Sequence, residues 1–174
     1  ESERGELELT DVLERACEHT EVTPIPFDRW LDVGRPWELL EANEWKLDEL
    51  TRDISGDVSE DAHLRGAVVI EEGATVEPGV VVEGPAYISE GATLGPNAYV
   101  RSSTYIGPDV HVGHSVEIKN SVLGRDTNVG HLSYVGDSIL GRDANFGAGT
   151  NVANLRHDDE PVNVRVKGDT VSTG

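Results

Sequence analysis

From Val58 onward an aliphatic side chain recurs every six positions: Val58, Leu64, Ile70, Val76, Val82, Ile88, Leu94, Val100, Ile106, Val112 and Ile118. The series continues through Leu123, Val129, Val135, Leu140, Phe146 and Val152. Small or β-branched residues follow four places later, among them Ala62, Val68, Ala74, Ala86, Ala98, Val116, Val122, Ile139 and Ala144. A period of six fits neither an amphipathic helix nor an alternating strand. It is the hexapeptide repeat of a parallel β-helix, in which three short strands make one triangular coil and coils stack about 4.8 Å apart. The aliphatic position fills the prism and the small position fits beside it at the corner. Glycines such as Gly66, Gly79, Gly91, Gly113 and Gly130 are read as turn residues. The spacing drops to five at Ile118–Leu123 and Val135–Leu140, on one side of two successive coils. A local reshaping of the prism there is a place to look for a site.

The sequence therefore predicts an all-β fold, a parallel β-helix over residues 53–155, preceded by a short α/β segment over residues 1–52. Within that segment Asp11 and Glu14 form a helix-capping signal for a helix reaching His19, and Val22–Phe27 reads as an edge strand carrying Pro24 and Pro26. Pro36 opens a second helix. Residues 156–174 read as a polar loop and a hairpin, with Val162–Val166 alternating before Gly168-Asp169. The chain contains no methionine, and the prism would end without a cap, so the chain reads as part of a longer protein.

Composition narrows the function. With 14 basic and 33 acidic residues the net charge is −19, which argues against nucleic acid and anionic membranes as partners. Scarce lysine beside abundant carboxylate fits a protein from a molar-salt cytosol, or an ordinary acidic protein. The single Cys17, with no signal segment and no apolar run of about 20 residues, points to a cytoplasmic protein without a membrane span.

Chemistry must lie outside the prism. The repeat places His114, His131 and Ala148 in one outward column, His111, Asn128 and Asn145 in a second, and Glu117, Tyr134 and Asn151 in a third. Arg101 and Lys119 stand 18 residues apart and stack as neighbours. Two stacked cations repel, and a phosphate between them would relieve that. The alternative is that Glu117 or Asp109 pairs with them as solvated surface charge. His131 suits a general base at neutral pH, although a lone outward histidine is often only a surface residue. A zinc trio of His111, His114 and His131 is a third, weaker reading.

The stretches Val116–Gly124, Gly130-His-Leu-Ser-Tyr-Val-Gly-Asp137 and Asn145–Thr150 closely resemble the acetyltransferase half of bifunctional sugar-1-phosphate nucleotidylyltransferase/acetyltransferases of the UDP-N-acetylglucosamine pyrophosphorylase type. The resemblance implies a left-handed β-helix, a homotrimer with active sites between subunits, and N-acetyl transfer from acetyl-CoA to a hexosamine 1-phosphate. By the same match His131 is the catalytic base, the Ala148 N–H holds the oxyanion, and Asn154 lies near the amine. Arg101, Lys119, Tyr134 and Asn145 bind the sugar phosphate. Arg4–Asp11 and Trp30–Trp37 resemble the end of a nucleotidylyltransferase domain of the glucose-1-phosphate thymidylyltransferase kind, which implies Asp32 as one magnesium ligand and Mg2+ as that half's cofactor. Two positions depart from the family: Leu155 stands where a tyrosine is usual, and Glu160 replaces a lysine that reaches the substrate. A scaffold that trimerises without acetyltransferase activity is therefore a second expectation.

Overall fold

The computed structural model describes residues 5, 8–152 and 154–173 of the 174. Arg4, Glu6 and Leu7 of the first motif, and the terminal Gly174, lie outside the described residues. Backbone contacts divide the chain into Glu1–Leu31 and Asp32–Gly174.

In the first unit α1 spans Leu9–His19. It ends where expected but begins two residues before Asp11, which lies inside the first turn and favours the helix through the dipole rather than as a cap. None of its residues is buried. The expected strand at Val22–Phe27 does not form. Pro24 and Pro26 each lack the N–H a ladder needs, and among the described residues no strand precedes Asp53. Among the described residues before Asp53 the regular elements are two helices, rather than the mixed α/β expected.

The second unit opens with α2, Pro36–Asp48. Proline takes the first position, where its missing N–H costs nothing. Glu38 Oε2 accepts a hydrogen bond from the Gly34 N–H at 2.9 Å, which closes the start of the helix. Leu47 is buried, α2 packs on the strand Thr104–Ile106, and Asn43 Nδ2 donates to the Ser103 carbonyl at 2.9 Å.

The β-helix consists of three six-stranded parallel sheets, one per prism face. The first face stacks Asp53–Ile54, Val68–Ile70, Ala86–Ile88, Thr104–Ile106, Val122–Leu123 and Ile139–Leu140. The second stacks Asp57–Val58, Thr75–Val76, Thr93–Leu94, His111–His114, Asn128–His131 and Asn145–Phe146. The third stacks His63–Arg65, Val81–Glu83, Tyr99–Val100, Glu117–Lys119, Tyr134–Gly136 and Asn151–Val152. The period-six aliphatics form one continuous core, sealed in the middle coils and partly open at Val58, Leu64, Phe146 and Val152.

The two five-residue spacings have a simple cause. In an 18-residue coil the corner between the third and first faces takes two residues, Ser102-Ser103, before Thr104 turns inward. In the next coil Asn120 alone makes the corner, and Ser121 points inward, fully buried. Val122 and Ile139, expected as corner fillers, consequently face outward, because removing one residue moves the inward position one step earlier. The buried Ser121 hydroxyl is satisfied by donating to the Lys119 carbonyl at 2.7 Å, and it accepts from the Ser138 N–H at 3.1 Å.

Glycine does less of the turning than expected. In the upper coils Asn97, Ser103, Asp109, Ser115, Asn120, Asp126, Asp137 and Asp143 carry the positive φ, helped by short polar side chains that tolerate it. Gly113 serves close approach instead: an added Cβ would run into the Gly130 backbone of the next coil. The expected hairpin forms from Asn163–Val166 and Asp169–Ser172, turning at Lys167-Gly168 with φ of 51° and 99°. Among the described residues no helix is long and apolar enough to cross a membrane.

Candidate functional site

The repeat aims alternate side chains outward, so register decides which polar groups meet. On the third face Glu117, Tyr134 and Asn151 form one ladder, and Lys119 pairs with Gly136. Arg101 lies one coil below Lys119, its N–H donating to the Ile118 carbonyl at 2.8 Å. These columns are as read from the sequence.

The charges differ from a bare cation pair. Arg101 Nη1 donates to Glu117 at 2.9 Å, and Lys119 Nζ donates to Asp137 at 3.3 Å. Asn120 Nδ2 holds the other Asp137 oxygen at 2.7 Å. Each cation thus has a carboxylate from the coil above, and the repulsion expected between them is already offset. The Glu117 hydrogen bond is the main reason the Arg101 guanidinium is held above its usual pKa. An incoming anion would compete with Glu117 and Asp137 for these cations.

Tyr134 lies along its strand over Gly136. A Cβ at Gly136 would collide with the tyrosine hydroxyl, so the missing side chain is what lets the ring lie there. The hydroxyl is thereby carried toward the Lys119 column, and Tyr134 contributes to the field at Arg101.

His131 ends the strand Asn128–His131 at the corner between the second and third faces, where it is exposed and in register with His114 below. The Gly149 N–H reaches the His131 carbonyl at 3.4 Å, which places Ala148 one coil above the imidazole. His114 is engaged at both ring nitrogens, with the Pro96 carbonyl and with Ser115 Oγ, each at 3.1 Å. Among the described residues the His131 ring has no such partner, so it is open to a ligand. Asn145 stands on the second face above Asn128 and His111, and Asn128 Nδ2 donates to its Oδ1 at 2.5 Å.

Among the described residues no three His, Cys, Asp or Glu side chains are grouped to hold a metal ion. His111, His114 and His131 therefore do not make a zinc trio. Asp32 is exposed just before α2 and offers one carboxylate, which does not by itself fit a magnesium site.

A cleft of about 920 Å³ opens at the tightened corner, between α2 and the chain after Val152. Asn120, Asp137, Asn154, Leu155 and Glu160 line it with Trp37. The structure thus gathers Arg101, Lys119 and Tyr134 on the third face and puts His131 and Ala148 at one of its corners. Asn154 sits at the other corner, in the cleft, and His131 does not line that cleft. Of the two carboxylates expected as partners, Glu117 pairs with Arg101, whereas Asp109 pairs with Arg125 instead; Asn120 and Asp137 were not read from the sequence as partners. The signal was present, since Asn120 and Asp137 are 17 residues apart and stand at the two slips.

Residues 82–174 match the family model for the GMPPB C-terminal domain. A bifunctional sugar-1-phosphate nucleotidylyltransferase/acetyltransferase of Sulfurisphaera tokodaii is 44% identical over 175 residues, covering 99% of this chain and 44% of that protein. A bifunctional protein GlmU of Methanocaldococcus jannaschii is 47% identical over 173 residues, covering 99% of this chain and 42% of that protein. The chain thus spans less than half the length of these curated relatives. Among solved structures, perosamine N-acetyltransferase of Caulobacter crescentus, determined with CoA and GDP-perosamine, superposes with a TM-score of 0.56. It is 19% identical, over 71% of this chain and 57% of that one, and shares the fold.

Proposed function

Because this chain belongs to the GMPPB C-terminal domain family, we propose that its β-helix is the acetyl-CoA-dependent N-acetyltransferase part of a bifunctional nucleotide-sugar enzyme, acting on a hexosamine 1-phosphate. The observation that carries this reading is the exposed, unengaged His131 imidazole. It lies beside the Ala148 backbone and at the edge of the face that bears Tyr134, Lys119 and Arg101.

In this reading Lys119, Arg101 and the Tyr134 hydroxyl hold the sugar phosphate, displacing Glu117 and Asp137 from the two cations. Asn145 and Asn154 orient the sugar and its amine. His131 accepts a proton from the amine as its nitrogen attacks the thioester carbonyl. The Ala148 N–H stabilises the tetrahedral oxyanion. The carbon–sulfur bond then breaks, the amide stays on the sugar, and the imidazolium returns its proton to the departing thiolate. A homotrimer would bring Asn154 of one copy toward His131 of the next, which accounts for their separation within one chain. Mg2+ belongs to the nucleotidylyl half, whose chemistry Asp32 alone does not supply. The acidic surface fits a cytoplasm of high salt.

A second reading has support of its own. Arg101 and Lys119 are each occupied by a carboxylate, and Glu160 adds negative charge to the cleft. Both features suit a trimerising scaffold for a nucleotidylyltransferase. Thiol release from acetyl-CoA in the presence of glucosamine 1-phosphate or galactosamine 1-phosphate, followed in the full-length protein at high salt, separates the two. Sustained release dependent on the sugar phosphate supports acetyl transfer, and its absence supports the scaffold.

A further inference from the structure

One corner of the prism carries a residue that the fold of a single chain does not explain. Between the second and third faces the successive coils turn at Gly79, Asn97, Ser115, Leu132 and Gly149, with φ of 75°, 57°, 53°, 45° and 76°. Each N–H in this stack from Asn97 upward donates to the coil below, so the left-handed backbone is imposed by the ladder. Glycine accepts that conformation freely, and Asn and Ser accept it with short polar side chains. Leu132 has a branched aliphatic side chain and neither advantage. Of the non-glycine corner residues with positive φ in the β-helix, the others described are Asn, Asp or Ser.

Burial gives no compensation. Leu132 is 62% exposed, so a single chain gains little apolar contact from it. A strained backbone holding an apolar side chain in solvent points to something outside the chain that covers it. Its position says what. Leu132 directly follows His131, and the residues above it are Gly147, Ala148 and Gly149. At both glycines an added Cβ would meet nothing within 4 Å. The surface one coil above Leu132 and His131 is therefore bare backbone with room beside it.

We propose that Leu132 is a positioning residue for the acyl donor. It gives the apolar arm next to the thioester a surface to lie on, so that the carbonyl carbon stops beside His131 and under the Ala148 N–H. The proposal rests on the acetyl-transfer reading for its substrate, and its own claim concerns donor binding.

The test compares Leu132→Asn and Leu132→Met in the full-length protein. Asn suits the left-handed corner, so Leu132→Asn folds and its Tm is unchanged or higher. Calorimetry with acetyl-CoA reads donor binding directly, and initial rates read KM for each substrate. The expected result is about tenfold weaker acetyl-CoA binding and a matching rise in its KM for Leu132→Asn. The sugar-phosphate KM should stay unchanged and Leu132→Met should bind like the parent. Equal acetyl-CoA affinity in Leu132→Asn and the parent would overturn the proposal, as would a parent that does not bind acetyl-CoA. A parent that binds acetyl-CoA without turning over would overturn the acetyl-transfer reading, while the binding comparison would still decide the role of Leu132.

Discussion

Gly136→Ala isolates the contact that places Tyr134. The new Cβ would overlap the tyrosine hydroxyl and stand 2.8 Å from Cζ and 3.0 Å from Cε1. All three atoms are at the far end of a flexible side chain, so the ring moves and the backbone stays. The φ of Gly136 is outside the left-handed region, and alanine fits its conformation. Alanine also lowers the entropy of the unfolded chain by about 0.4–1 kcal/mol, against a similar loss of ring packing. The net change in stability is then within about 1 kcal/mol, or about 3 °C in Tm. Activity should respond more strongly. A hydrogen bond from a hydroxyl to a charged phosphate is worth about 1.5–3 kcal/mol, and losing about 2 kcal/mol raises KM for the sugar phosphate about 30-fold. The assay is initial-rate thiol release at saturating acetyl-CoA with the sugar phosphate varied. Tyr134→Phe should raise KM in the same direction, and Gly136→Ala added to Tyr134→Ala should add nothing. An unchanged KM in a folded Gly136→Ala protein, or additive effects in the double variant, would refute the reasoning.

Other expectations follow from the core, the first face and the net charge. Ile118→Ala removes a fully buried side chain at the start of a tightened coil and should destabilise by about 2–5 kcal/mol in thermal unfolding; a loss under about 1 kcal/mol would mean the prism is looser than described. The Tyr87 hydroxyl donates to Glu71, and that bond, followed by burial, pushes its pKa from 10.0 to about 12. The protonated form is the one stabilised, so this contribution is complete below pH 10 and is lost as pH rises toward about 12. Absorbance titration should show a tyrosine ionising near pH 12 that disappears in Tyr87→Phe. At a net charge of −19, raising KCl from about 0.1 to 2 M should raise Tm by about 5 °C through screening of self-repulsion; a flat or falling Tm would count against the high-salt reading.

The prism was legible because its signal is redundant. Each aliphatic from Ile70 to Val135 repeats the same instruction, and the register of His114 under His131 and of Glu117 under Tyr134 follows from counting. Local signals were less reliable. Val22–Phe27 has strand composition but no partner strand among the described residues, and pairing rather than composition makes a strand. Counting four residues past Ile118 gave Val122 as the corner, whereas the shortened turn put Ser121 inside. Glu117 was among the partners expected for Arg101, but the Asp137 that holds Lys119 depends on side-chain reach between coils, which the repeat does not encode. The cleft at Asn120, Asp137 and Asn154 depends on where α2 packs, and nothing in the hexapeptide pattern specifies that.

The most direct measurement is thiol release from acetyl-CoA by the full-length protein and its His131→Ala variant, with binding of both substrates measured in parallel. The account predicts a drop in kcat of at least about 100-fold, the scale of a lost general base, with both substrates still bound. A variant that turns over at the parental rate would contradict it.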